Sequence, residues 1–300
     1  MSSFPLWAER LYNRPIALDR FKNETLCKFA DQRIFGAKPD KIDAQTLAEI
    51  ELGARAREAV FYGDSGDRKP FRHRNGIAMI PVEGTLVHKG GFMSAESGLT
   101  SYDSILTTMR VASADGDISG IFMPYKSGGG EVAGMFAAAE EMATMSQAEG
   151  GKPIYAYLDD QAASAAYVLA SSADKIFGRR EVIGGSLAAL INVVDKSKAM
   201  ERMGLKPIVV RASWADRKAR GGMGEEIDEE LIGKLEGFVE EASEMLVEFV
   251  SAMRPIKPQA IRDLRGEVFS GEDLVKLGLM DAVASEDEVW AKLERAAARA

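Results

Sequence analysis

From residue 76 onward, short apolar runs alternate with amphipathic stretches of about ten to fifteen residues, and this alternation restricts the possible folds most. The runs with the length and composition of buried strands are residues 77–82, 118–123, 153–158 and 175–177. The stretches between them with apolar side chains at helical spacing are residues 102–111, residues 132–145 and the segment that begins at Ser164. Alternation of this kind predicts α/β crossover units around a parallel sheet.

Residues 1–75 differ from the rest, and we predict that they form an N-terminal extension to one domain at residues 76–300. Residues 44–59 have the pattern of a polar-faced helix, and residues 62–70 are rich in turn formers. Near the other end, residues 226–253 carry apolar side chains every three or four positions. That pattern predicts a long amphipathic helix that packs on the core or on another subunit.

Composition excludes several classes of protein. The 300 residues, 46% hydrophobic and 28% charged, are sufficient for a substantial core. The net charge of −8 gives little electrostatic support for nucleic-acid binding. One cysteine and two histidines provide neither an internal disulfide nor a metal cluster. Since the sequence contains no leader and no apolar run of about 18 residues, we expect a cytoplasmic protein without a membrane span.

A glycine run directly follows the second predicted strand. Residues 127–130, Ser-Gly-Gly-Gly, would place backbone N–H groups at the start of a helix with no side chain in the way. The run forms either an oxyanion hole or only a tight strand-to-helix turn. It is not a Walker phosphate loop, because the Lys-Ser/Thr pair of that motif is missing.

The candidate nucleophile is Ser164, which stands among alanines where the third predicted strand gives way to a helix. Small neighbours would let a substrate backbone come close, and a helix N-terminus favours negative charge on the serine oxygen. A serine here could equally be an ordinary helix N-cap. Two strand-to-helix turns can meet on one edge of a parallel sheet, however, and this favours a site shared by Ser164 and the glycine run.

A serine nucleophile needs a base, and neither histidine is a favourable candidate. His73 lies among arginines and His88 lies in a glycine loop, both in the sequence context of surface residues. Lys218 is the other candidate, although Arg217 and Arg220 beside it are also typical of a solvated basic loop. Desolvation lowers a lysine pKa by up to about 3–5 units, so a buried lysine can act as a base near neutral pH. The hypothesis therefore requires that Lys218 be buried.

Together these segments resemble the signal peptide peptidase A type serine peptidases of family S49, and within it the phage capsid (prohead) proteases. The resemblance covers about residues 77–283. The segments that carry it are 81–86 (Pro-Val-Glu-Gly-Thr-Leu), 127–130, 163–167 (Ala-Ser-Ala-Ala-Tyr), 170–176, the loop around Lys218, 266–272 and 277–281, with 6–15 at the N-terminus. The chain departs from the usual family pattern at Gly128, where proline is common, at Ala165 and Ala166, where glycines are common, and in a lysine loop that is one residue longer.

This resemblance implies a Clp protease/crotonase-like α/β fold of repeated β-β-α units, with an N-terminal helical extension and a long C-terminal helix. It implies Ser164 as the nucleophile, Lys218 as the general base, and Gly129, Gly130 and Ala165 around the oxyanion and substrate. It further implies no cofactor and a homo-oligomer whose Ser-Lys dyad forms within or between protomers. The implied substrates are capsid scaffold and major capsid proteins, cut in the host cytoplasm or the procapsid interior.

Three other interpretations stay open. A signal-peptide-peptidase-like host or prophage protease would use the same dyad on other substrates. A crotonase-like acyl-CoA enzyme would share the fold and the oxyanion glycines but would use carboxylates, for which Glu131 and Glu140 are the candidates. A catalytically dead peptidase, retained for its assembly interfaces, would need none of these groups.

Overall fold

The computed structural model describes residues 15–18, 69–89, 98–222 and 224–299. Most of the predicted extension at residues 1–75, including the helix predicted at residues 44–59, lies outside these ranges. The division at residue 75 therefore stays a prediction. Of that extension, residues 15–18 and 69–75 are described: Ile16–Leu18 pairs with Gly129–Glu131, and Arg72–Arg74 pairs with Ile77–Met79.

The described residues form short strands and helices that alternate along much of the chain. The strands are β1 (Ile16–Leu18), β2 (Arg72–Arg74), β3 (Ile77–Met79), β4 (Val82–Glu83), β5 (Thr85–Val87), β6 (Leu99–Ser101), β7 (Gly120–Ser127), β8 (Gly129–Glu131), β9 (Ile154–Ala163), β10 (Lys175–Gly178), β11 (Ile183–Gly185), β12 (Val268–Ser270) and β13 (Ala282–Val283). The helices are α1 (Tyr102–Ala114), α2 (Met135–Thr144), α3 (Ala165–Ser171), α4 (Ser197–Arg202), α5 (Glu229–Met253), α6 (Pro258–Arg262), α7 (Gly271–Lys276) and α8 (Glu286–Ala297).

The larger of the two sheets is mainly parallel. Its strand order is β12-β11-β9-β7-β3-β2, β4 pairs with β7, and β10 lies between β9 and β13. The inner strands β3, β7, β9 and β11 are parallel, whereas β2 and β12 are antiparallel to their neighbours. The predicted α/β fold is therefore confirmed. The smaller sheet, in the order β1-β8-β5-β6, lies beside the carboxyl ends of β7 and β9.

Helices cover both faces of the larger sheet, which is why its central strands are apolar along most of their length. On β7, Ile121 and Met123 face the core shared with α1, α2, α3 and α5. Phe122, between them, faces the opposite side and packs on Trp290 of α8 at a ring distance of 5.1 Å. Because successive side chains of β7 point to opposite faces of the sheet, this one strand contributes to the apolar layers on both faces.

Two boundaries differ from the prediction at the place where the site forms. The third strand continues beyond residue 158 to Ala163, because β9 keeps pairing with β7 on one side and with β11 on the other. The glycine run is not a plain turn, since Gly129–Glu131 form β8, and the helix after it begins only at Met135. Both differences come from pairing with strands that are distant in sequence.

Candidate active site

Ser164 occupies the one-residue junction between β9 and α3, with a backbone conformation that is rare for any residue except glycine. Its φ is 56° and its ψ is −123°. The strain is held by two hydrogen bonds: the Ser164 N–H donates to the Gly185 carbonyl at 2.7 Å, and the Ser164 carbonyl accepts from the Val168 N–H at 3.0 Å. Strained residues of this kind cluster at functional sites.

The structure does not support the interpretation of Ser164 as an ordinary helix cap. A capping serine has an extended backbone and accepts a hydrogen bond from the first turn of the helix. Ser164 has neither property. Its hydroxyl lies 3.5 Å from the Ala188 carbonyl oxygen, at the limit for a hydrogen bond, and the residue is wholly buried.

The glycine run meets Ser164 at the same edge of the sheet, as the sequence predicts. A Cβ atom placed on Gly129 would lie 3.0 Å from the Ser164 Cβ and 3.0 Å from the Ala163 carbonyl oxygen. Gly129 has a φ of 103°, which favours glycine. The Ser127 hydroxyl fixes the run, since it donates to the Gly84 carbonyl at 2.6 Å and accepts from the Gly129 N–H at 3.2 Å.

Gly130 has no room for a side chain. A Cβ atom there would overlap the backbone carbonyl of Leu86 on β5. Gly130→Ala is therefore expected to lower the free energy of unfolding by about 2 kcal/mol, because overpacking forces the backbone to shift.

Urea denaturation tests this expectation, with Gly233→Ala as the matched control. Gly233 is exposed on α5 with no foreign atom within 4 Å of its added Cβ, so alanine there is expected to raise stability by about 0.5–1 kcal/mol. Equal stability of Gly130→Ala and the parent chain would contradict the packing argument.

Two stretches of backbone, β8 and the segment at residues 188–190, flank Ser164, and we call the slot between them the groove. The segment at residues 188–190 is held by α5, because the Ala189 N–H donates to the Ser243 hydroxyl of that helix at 3.0 Å. Strand β1 lies in the groove, antiparallel to β8, and Ile16 exchanges two backbone hydrogen bonds of 2.9 Å with Leu190. The groove therefore already holds an extended segment of chain.

Lys218 lies apart from this arrangement. It is exposed, in a succession of turns, and within the described ranges no hydrogen bond or ion pair joins its ammonium group to Ser164. The burial that a lysine base requires is thus not met within one chain. Ser164, Gly129, Gly130 and Ala165 come together, Lys218 does not join them, and the role of each stays a prediction.

The loop that carries Lys218 is nevertheless held in place. The Arg211 guanidinium donates to the backbone carbonyls of Lys218 and Ala219, and it forms an ion pair with Glu225 at 2.7 Å. Hydrogen bonding to Arg211 keeps the pKa of the Glu225 carboxyl below its usual value, so the pair stays charged at neutral pH. Arg217 and Arg220 of the loop also form ion pairs with Glu230 of α5, and Arg220 with Asp228 at the helix cap.

Several of these supporting groups are not apparent in the sequence. Ser127 belongs to the Ser-Gly-Gly-Gly run, but its hydroxyl contacts to Gly84 and Gly129 are seen only in the structure. Gly185, Ser243 and Arg211 act through backbone atoms or through partners far along the chain. No local pattern identifies such contacts.

The carboxylates of the acyl-CoA interpretation lie in different surroundings. Glu131 is buried and accepts a hydrogen bond from the His88 N–H at 2.6 Å, whereas Glu140 is exposed on α2. In the part of the chain that the structure describes, no helix is long and apolar enough to cross a membrane. Nor do three or more His, Cys, Asp or Glu residues in that part converge as metal ligands would.

Three curated proteins of phage and bacterial origin are similar to this chain in sequence. Capsid assembly protease C of Escherichia phage lambda is 25% identical over 96% of this chain, and head-tail preconnector protein GP5 of Enterobacteria phage P21 is 28% identical over 75% of it. A putative signal peptide peptidase SppA of Enterococcus faecium is 24% identical over 73% of the chain. The alignments span 65%, 44% and 63% of these relatives, so the chain covers less than two thirds of each.

Solved structures provide a more distant comparison. An enoyl-CoA hydratase/carnithine racemase from Magnetospirillum magneticum aligns over 75% of this chain and 73% of its own, with 13% identity and a TM-score of 0.44. We draw no inference about activity from a similarity this low. The model of peptidase family S49, in contrast, matches residues 146–299, slightly more than half of the chain. The chain therefore belongs to peptidase family S49.

Proposed function

We propose that this chain is a serine endopeptidase in which Ser164 is the nucleophile and Lys218 the general base. The observation that carries the proposal is the strained backbone of Ser164 beside the glycine strand β8, in a chain of family S49. A serine on a strained strand-to-helix junction, next to backbone N–H groups that can hold an oxyanion, is an arrangement that serine nucleophiles use.

In the proposed mechanism, the neutral Lys218 amine takes the Ser164 proton as the hydroxyl oxygen attacks the substrate carbonyl. The N–H groups of Gly130 and Ala165 hold the resulting oxyanion. We favour Gly130 over Gly129 as the donor, because the Gly129 N–H donates to Ser127. The lysine then protonates the leaving amine as the C–N bond breaks, and water activated by the same lysine hydrolyses the ester on Ser164.

The base is supplied, in this proposal, by a neighbouring copy of the chain. The segment before Lys218 exposes large apolar side chains, among them Ile208, Val210 and Trp214, each more than 80% exposed. Monomeric proteins rarely leave such a surface in water. A homo-oligomer that covers this surface would also remove water from Lys218 and could bring it to the Ser164 of the adjacent protomer.

The proposed substrates are capsid scaffold and major capsid proteins, cut during head maturation. Support comes from the two phage relatives, whose names refer to capsid assembly and to the head-tail connection. A signal-peptide-peptidase-like role is the second candidate, supported by the Enterococcus relative. Incubation with a scaffold protein and with signal peptides, followed by mass spectrometry of the products, distinguishes the two.

A fluorophosphonate probe tests the activity itself. The proposal expects covalent labelling of Ser164 and cleavage of a scaffold substrate by the assembled protein. Labelling without any peptide cleavage, together with turnover of an acyl-CoA thioester, would favour the acyl-CoA interpretation instead. Absence of both labelling and cleavage in the assembled protein would favour a dead peptidase.

Arg211 is proposed as a positioning residue for the Lys218 loop. Arg211→Ala removes the donors to the Lys218 and Ala219 carbonyls and is expected to reduce kcat about 10- to 100-fold, because small displacements of a catalytic group are costly. Arg262→Ala, which breaks an exposed Arg-Glu pair between α6 and α5, is the matched control and is expected to change kcat little. Steady-state kinetics measure both, and equal values for the two variants would contradict the positioning role.

A further inference from the structure

Strand β1 is hydrogen-bonded along both of its edges by residues far away in sequence. On one edge it pairs antiparallel with β8, in the register Ile16 to Glu131, Ala17 to Gly130 and Leu18 to Gly129. On the other edge the N–H and carbonyl of Ile16 exchange hydrogen bonds of 2.9 Å with Leu190. All three side chains of β1 are buried. The segment thus fills a slot whose walls are two stretches of backbone.

The middle of this strand lies close to Ser164 and to the glycine strand β8. The Ala17 carbonyl oxygen and the Ser164 Cβ both lie against the position that a Cβ of Gly129 would take. Peptide groups of successive strand residues point to opposite edges, and those of Ile16 point to Leu190. The N–H and carbonyl of Ala17 therefore point to Gly130. In the proposed mechanism the substrate carbonyl lies next to the Gly130 N–H, and here the Ala17 carbonyl takes that position.

We propose that β1 is an intramolecular occupant of the substrate groove and blocks it until it is displaced; this inference rests on the proposed function. A peptide substrate that adds a strand between β8 and residues 188–190 would need the same backbone donors and acceptors that β1 uses. Both cannot bind at once. The occupant also defines the substrate class: an extended peptide with a small residue where Ala17 lies, because that side chain is wholly buried.

The exposure of Lys218 explains why the occupant persists uncut. In the described part of a single chain the proposed base, Lys218, is exposed and makes no contact with Ser164, so the Ala17–Leu18 peptide bond can lie in the groove without being attacked. Assembly would bring the base, and the strand has to leave before a substrate enters. The inference therefore assigns the N-terminal segment an inhibitory role rather than that of a first substrate.

Hydrogen exchange tests occupancy without any need for catalysis. In the full-length chain carrying Ser164→Ala, the added substitution Ala17→Asp places a charge at a buried position and is expected to release β1. Exchange at the Gly130 and Leu190 amides should then rise at least about tenfold. Val111→Asp, the same kind of change at an exposed site on α1, is the control and should leave both amides unchanged. Unchanged exchange in the Ala17 variant would overturn the proposal.

A second variant distinguishes the release of β1 from unfolding of the whole protein. Ile16→Pro keeps an apolar residue but removes the N–H that donates to Leu190, so it should accelerate the same amides while circular dichroism stays native. A peptide of residues 15–19, added to the Ala17→Asp protein, should restore protection, and the same peptide with tryptophan in place of Ala17 should not. Equal protection by both peptides would overturn the assignment of a small residue at that position.

Labelling of Ser164 in the native-serine chain separates this inference from the proposed function. Ala17→Asp should raise the fluorophosphonate labelling rate of Ser164 at least about tenfold if the strand shields the serine in most molecules. If exchange rises as expected but neither the parent chain nor the Ala17→Asp variant is labelled, β1 does occupy the groove, and Ser164 is not the nucleophile. A new N-terminus at Leu18 in the purified parent chain would overturn the inhibitory role, because β1 would then be a substrate.

Discussion

Ser164→Ala is expected to abolish peptide cleavage, with a loss of at least about three orders of magnitude in kcat, while the fold persists. Among the described residues the hydroxyl makes one hydrogen bond, at the distance limit of 3.5 Å to the Ala188 carbonyl, so its removal disturbs little of that structure. The strained backbone is held instead by the Gly185 and Val168 hydrogen bonds, which alanine retains. Cleavage of a scaffold protein and thermal unfolding measure the two effects.

Ser119→Ala is the matched control for this experiment. Its hydroxyl also bonds a backbone carbonyl, that of Gly76, but it lies just before the opposite end of β7. We expect this variant to keep full activity. Residual cleavage by Ser164→Ala above one hundredth of the parent rate would contradict a nucleophilic role for Ser164.

Lys218→Ala is expected to cause a comparable loss of activity, even though the residue is exposed in the single chain. No other group near Ser164 in the described residues is proposed to accept its proton, so without the lysine the hydroxyl is a poor nucleophile. Lys198→Ala, at another exposed lysine on α4 before the same loop, is the control and should remain active. Full activity of Lys218→Ala would remove the proposed dyad.

Mixing the two inactive variants distinguishes a dyad within one chain from a dyad between chains. If each site takes Ser164 from one protomer and Lys218 from the next, random co-assembly of Ser164→Ala with Lys218→Ala chains restores about a quarter of the sites. If both residues come from the same chain, no site is restored. Unfolding and refolding the two variants together, followed by the scaffold-cleavage assay, measures the difference.

The class of fold and the meeting of Ser164 with the glycine run follow from local patterns. Apolar runs of strand length mark β7 and β9, and parallel strands must end at the same edge of their sheet. That geometry alone brings residues 127–130 to Ser164. The strand at Gly129–Glu131 was missed, because glycines carry no strand propensity and its formation depends on pairing with β5 and β1.

By itself, therefore, the sequence determined the alternating architecture, the serine at a strand-to-helix junction and the glycines beside it, since each depends on side-chain periodicity within a few residues. Only the tertiary structure decided that Ser164 is strained, that Lys218 is exposed in one chain and that β1 lies in the groove. The position of β1 depends on backbone pairing between segments more than a hundred residues apart, such as Ile16 with Leu190, and the strained Ser164 backbone depends on the hydrogen bond to Gly185 on another strand. Backbone hydrogen bonds of that kind are nearly independent of side-chain identity, so they can hardly be predicted from the pattern of residues.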